Sequence, residues 1–182
     1  MPIDAQDQPT LDDAAELFAR AGALVEADRP AEALEALDEA EAVYARLAED
    51  GTDVAPHTAE LKVRRGIAQL AHGRTASAVV SLDEASMAYF RLTRGPGLRR
   101  FEADLARVLT INARVLLGGG DPDLAIRSAD TAIKLFVGMA GRLAGTPAEI
   151  PARRSLRDAA ALATMVHGAR QNTRVAVEAA EL

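Results

Sequence analysis

The sequence predicts an all-α chain, a solenoid of about three and a half helix–turn–helix hairpins, and three observations carry that reading. Of its 182 residues 49% are hydrophobic but only 3% are aromatic. Ala and Leu dominate; both favour helix, and Ala lets helices approach closely. The long β-branched and aromatic runs of strands are scarce. The stretch LDEAEAVYARL at 37–47 returns as LDEASMAYFRL at 82–92, with both tyrosines of the chain at equivalent places. Turn residues precede each copy, and precede a third segment in the same way.

The copies align position by position. Ala33, Leu37, Ala40, Tyr44 and Leu47 recur as Ala78, Leu82, Ala85, Tyr89 and Leu92, and again as Ala125, Ala129, Ala132, Phe136 and Met139. The 4-3-4-3 spacing keeps one face of an α-helix apolar over four turns. A period between twenty and fifty residues is the mark of a solenoid. A single hairpin cannot bury both of its helix faces, so neighbours stack and share a core.

Taken in chain order, residues 1–10 read as a flexible leader and 11–182 as one domain, with hairpins at about 11–50, 58–94, 100–142 and 152–182. The first helices of the hairpins are expected near Leu11–Ala27, Thr58–His72 and Arg100–Leu117. Asp28-Arg29-Pro30, Gly73-Arg74-Thr75 and Gly120-Asp121-Pro122 are the turns. Gly accepts a left-handed cap, and Pro suits the first turn of a helix. The second helices stop at Glu49-Asp50-Gly51, at Arg94-Gly95-Pro96-Gly97 and between Gly141 and Pro151. Residues 152–182 read as a fourth, shortened hairpin, with His167-Gly168 echoing His72-Gly73, or as one continuous terminal helix.

At Gly66, Gly73, Ala78 and Ala85 the chain resembles the tetratricopeptide repeat family. Ala21, Ala33 and Ala40 answer them in the first repeat, with Asp28 in place of the turn Gly. Ala113, Gly120, Ala125 and Ala132 answer them in the third. The likeness covers residues 11–142 and departs in three ways. The chain has no Trp, the period is longer, and Arg20 and Arg65 stand where the family has apolar residues. The resemblance implies a right-handed α-α superhelix that binds protein along a groove lined by the first helices. One subtype grips peptide carboxylates through Asn and Lys or Arg one turn apart; here Val108 and Gly168 precede Asn112 and Asn172, so that clamp is absent.

Chemistry finds little support. Asp38-Glu39 and Asp83-Glu84 are adjacent on a helix, about 100° apart, and do not converge on one ion. His57, His72 and His167 show no i, i+4 pairing, so no helix-borne metal site is encoded. Gly118-Gly119-Gly120 lacks the Lys-Ser/Thr and the preceding strand of a phosphate loop. No cofactor is implied, and an enzyme is not expected. Cysteine is absent, which fits a reducing cytoplasm. The acidic N-terminal stretch is unlike a secretory signal, and no apolar run is long enough to span a membrane.

Net charge is −6, divided unevenly. Residues 1–57 hold fifteen acidic and three basic side chains; residues 58–182 hold twelve acidic and eighteen basic. That asymmetry suits an acidic partner or head-to-tail self-association, while overall acidity and few aromatics disfavour nucleic acid. The candidate binding stripe is Lys62, Arg65, Gln69 and His72, extended by Arg107 and Arg114. It would take an acidic protein segment; ordinary solvation of a helix face competes with that reading. The expected function is thus an adaptor or scaffold, with a ligand-sensing module or a self-associating unit as alternatives.

Overall fold

The computed structural model describes residues 9–94 and 98–180. Seven α-helices are described: α1 (Leu11–Glu26), α2 (Pro30–Glu49), α3 (Ala55–Ala71), α4 (Thr75–Leu92), α5 (Glu102–Gly118), α6 (Pro122–Arg142) and α7 (Glu149–Ala180). A 3-10 turn, Leu98–Phe101, leads into α5. No strand occurs among the described residues. The chain divides into two compact units, 1–88 and 89–182.

In the first unit α1 packs on α2, and α3 packs on both. The first turn of α1 is held by a capping box: the Asp13 N–H donates to Thr10 Oγ, and the Thr10 N–H donates to the Asp13 carboxylate. Thr10 therefore belongs to the helix start, while residues 1–8 of the expected leader lie outside the described residues. Ala14, Ala21 and Leu24 of α1 meet Ala33, Leu37, Ala40 and Tyr44 of α2 in one core. Phe18 meets the Tyr44 ring edge-on at 6.3 Å. Burial pushes the Tyr44 phenol up from its ordinary value. Helix α3 begins at Ala55, three residues before the expected Thr58, so His57 is helical; its ring lies 5.6 Å from that of Tyr44.

The turns inside the three hairpins share one backbone device, which Gly51 repeats between α2 and α3. Asp28, Gly73 and Gly120 sit in the left-handed region with φ of 58°, 76° and 82°. At each, two N–H groups close back onto the helix: Arg29 to Leu24 and Asp28 to Val25, Arg74 to Gln69 and Gly73 to Leu70, Asp121 to Leu116 and Gly120 to Leu117. This paired bonding satisfies carbonyls that the helix end would otherwise leave open. Pro30 and Pro122 then open α2 and α6, where a missing N–H costs nothing.

In the second unit α5 packs on α6, α6 on α7, and α5 also touches α7. Ala106, Ala132, Phe136 and Ala159 form its centre, with Leu109, Ile133 and Leu156 around them. Tyr89, at the end of α4, lies 6.2 Å from the Phe101 ring. The first four positions of each copy, from Ala33 and Ala78 to Ala125 and Phe136, are all buried, none more than 6% exposed, while the fifth is 8% exposed at Leu47 and only half-buried at Leu92 and Met139.

Residues 149–180 form one continuous helix in place of a fourth hairpin, so the second of the two alternatives holds for the described residues. Gly168 is helical and His167 sits within the helix. A lone Gly in an Ala-rich helix costs only about 1 kcal/mol, too little to break it. Pro151 opens α7 from its first turn and does not end α6, which stops at Arg142. The expected stop at Gly95-Pro96-Gly97 lies outside the described residues.

Candidate binding cleft

The six stripe residues separate into two groups. Within the first unit, Lys62 ion-pairs with Glu84 of α4. Arg65 reaches Asp38 and Glu41 of α2, both at 2.8 Å. Gln69 accepts a hydrogen bond from the Ser81 hydroxyl at 2.8 Å, and His72 caps the end of α3. The first three thus tie α3 to its neighbours on either side. The Lys62 and Arg65 donors are engaged within the unit.

The paired acids of the repeat have the same use. Glu39 faces Arg20 of its own hairpin at 4.0 Å and Glu84 faces Lys62 of its own, whereas Asp38 reaches forward to α3. In the second unit Asp130, the third copy of that Asp, faces His167 of α7 at 3.5 Å. Adjacent positions about 100° apart on a helix point at different neighbours, which is why one acid looks back and the other forward.

Arg107 and Arg114 lie elsewhere, on the wall of a cleft of about 500 Å³ in the second unit. One wall is a single face of α5, with Asp104, Arg107, Ile111 and Arg114 at helical spacing. The floor is apolar: Phe136 and Met139 from α6 and Leu143 from the following loop. Pro151, Ala152, Ser155 and Asp158 at the start of α7 form the far wall.

The loop between α6 and α7 is built to stay in place. Gly145 adopts φ 78°, and its N–H donates to Glu149 Oε2 at 2.6 Å. That bond holds the Glu149 carboxyl below its ordinary value, with a smaller contribution from Arg153. Glu149 also ion-pairs with Arg153 at 2.6 Å, which anchors the loop to the first turn of α7. Arg142, at the end of α6, pairs with Glu102 at the start of α5.

At the rim, Arg107 lies 3.9 Å from Asp104. Arg114 is exposed and enters no ion pair among the described residues. No histidine or cysteine lines the cleft, and Ser155 has no base beside it among the lining residues. No group of three or more acids or histidines that would hold a metal occurs among the described residues. Asn112, one turn from Val108, is buried to 1% exposure and turned away from any surface ligand.

Sequence reasoning named two residues of the α5 wall, Arg107 and Arg114, as an extension of the α3 stripe, and missed Asp104, Ile111 and the α6 and α7 contributions. The α6 and α7 residues are remote in sequence from α5, and although Phe136, Met139 and Leu143 keep helical spacing, no periodicity links them to Pro151 or to Arg107 and Arg114. The usable signal was the Gly- and Pro-rich 141–151 segment, too short to be a further element.

No family model matches the chain, and no curated protein matches it. The chain is similar to a crystal structure of nearly identical TPR-like repeats from Podospora anserina, assigned there to a kinesin light chain. The two share 13% identity over 88% of this chain and 95% of that one, with a TM-score of 0.39. So low a score is no ground for argument, and the fold stands on this chain's own helices and turns. Among the described residues no helix is long and apolar enough to cross a membrane.

Proposed function

We propose that this chain is a non-catalytic interaction module of the cytoplasm, acting through residues 11–182 as one repeat domain, and that it holds a segment of another protein on the first helices of its hairpins. The observation that supports this most is the cleft on α5: an apolar floor of Phe136, Met139 and Leu143 beneath an exposed, unengaged Arg114. An apolar side chain would fill the floor and an acidic one would meet Arg114 and Arg107. Lys62, Arg65 and Gln69 are assigned to holding the first unit together in this reading, and His72 to ending α3. Any contact they make with a partner is secondary.

Selection of a displayed random-peptide library against the full chain tests the proposal. Peptides pairing an apolar anchor with an acidic residue are expected to enrich, and to be lost at least about tenfold by Arg114→Glu or Ile111→Glu. Helical circular dichroism verifies that both variants fold. Failure of the wild type to enrich any peptide, or equal binding by both variants, rejects the cleft as the site.

The cleft's volume also falls in the range of small-molecule sites, about 300–1,000 Å³, which favours a ligand-sensing module as the second reading. A rise in melting temperature with small amphipathic carboxylates, absent in Arg114→Glu, would select it over the peptide reading.

A further inference from the structure

Two helix faces have no neighbour in their own unit, and they are opposite in charge. On α1 the face turned away from Ala14 and Ala21 presents Asp12, Glu16, Ala19 and Ala23, all exposed. On α7 the face turned away from Ala159 and Val166 presents Arg154, Arg157, Ala161 and Met165, also exposed. Among the described residues none of these four charges makes an ion pair, although Arg153 and Arg170, on other faces of α7, both do. We propose that these two faces are the halves of one interface, through which the α1 face of one copy docks on the α7 face of a second copy.

The spacing supports the match. Asp12 to Ala23 and Arg154 to Met165 both span eleven residues, about 16 Å of helix at 1.5 Å per residue. In a parallel alignment the two acids lie beside the two arginines. Ala19 and Ala23 then lie beside Ala161 and Met165, where the small side chains give Met165 room and let the helices approach. Met165 is 63% exposed in the single chain, so burying it supplies apolar area that the charges alone lack. The charges set the register and disfavour parallel α1-on-α1 and α7-on-α7 pairing, since like charges would then meet, while an antiparallel pair of like faces would leave the charges without partners. A contact between two different faces leaves each copy with one unused half, so association can continue beyond a pair.

Sedimentation velocity of the full chain, over a range of concentration and salt, is the test. The weight-average mass is expected to grow with concentration at about 0.05 M salt and to fall back toward the monomer at about 0.5 M, where the Debye length is only a few ångströms. Asp12→Lys with Glu16→Lys, or Arg154→Glu with Arg157→Glu, should each weaken association at least about tenfold. Mixing those two proteins should restore it, as should the chain carrying all four substitutions, because opposite charges meet again. These are exposed sites, and unchanged circular dichroism establishes that the variants fold. A wild type that stays monomeric at low salt overturns the proposal, as does association that survives either reversal or that mixing does not restore.

Discussion

Gly66 of α3 lies so close to Leu82 of α4 that a methyl group on Gly66 would stand 2.8 Å from Leu82 Cγ and 3.3 Å from the Ala78 carbonyl oxygen. Leu82 is fully buried, so it has little freedom to withdraw. Gly66→Ala gains up to about 1 kcal/mol of helix propensity. Against that stands an overpacking cost of about 1–3 kcal/mol. A net loss of about 1 kcal/mol is expected in urea denaturation. Combining it with Leu82→Ala should cost less than the sum of the two changes, because the truncated side chain removes the clash. Simple additivity would show that the two helices do not meet there.

Ala78 bears on the same contact from the other side. Its side chain is wholly buried. Ala78→Leu adds three carbon atoms to a filled layer and should destabilise by about 1–3 kcal/mol. A neutral thermal melt would displace Ala78 from the buried face of α4.

Asp28 occupies a left-handed turn position that the other two hairpins give to Gly73 and Gly120. A side chain in that region costs about 1–2 kcal/mol, less for Asp, while Gly gives back part of the difference in unfolded-chain entropy. Asp28→Gly is therefore expected to stabilise by about 0.5 kcal/mol, whereas Gly73→Ala and Gly120→Ala should each destabilise by about 1 kcal/mol. Denaturant midpoints decide it: one sign for all three changes would contradict the shared turn geometry.

The residues that show how much was legible are those same turns and the Ala positions. A left-handed φ selects Gly, and a close helix crossing selects Ala or Gly, so Gly73, Gly120, Ala33 and Ala78 mark the fold through local sterics. Asp28 was readable only by its place in the repeat. The cleft was half readable, because Arg107, Ile111 and Arg114 share one helix face while Met139 and Pro151 join them only through tertiary packing. The stripe on α3 reads two ways for a related reason. Polar residues at helical spacing look alike whether they face solvent or, as with Arg65, the carboxylates of a neighbouring helix. His167-Gly168 copied the wording of a turn, but without a left-handed Gly the helix runs on.

Acid should loosen the start of α1 before the core. Hydrogen bonds from the backbone N–H and hydroxyl of Thr10, at 2.7 and 2.8 Å, hold the Asp13 carboxyl below its ordinary value of 3.8. Because the folded value is the lower one, the stabilisation is complete above the unfolded value and fades as pH falls through the folded one. Carboxyl-resolved NMR should place the Asp13 midpoint below 3.8 in the wild type and return it toward 3.8 in Thr10→Ala. Identical midpoints in the two proteins would deny the capping box.

Arg65 offers the sharpest contrast between a stabilising role and a binding role. Its guanidinium lies between Asp38 and Glu41, and its side chain is 24% exposed against 66% and 55% for the two acids. Pairs so open to solvent are each worth no more than about 1 kcal/mol, and salt screens them. Arg65→Gln is thus expected to cost about 0.5–1 kcal/mol at low salt and clearly less at high salt, with peptide capture by the cleft unchanged. Arg114→Glu should do the reverse, sparing stability, since Arg114 enters no ion pair, and removing capture. Measuring both properties in both variants separates the two roles. Loss of capture in Arg65→Gln with its stability intact would move the site to α3 and return the stripe to a binding role.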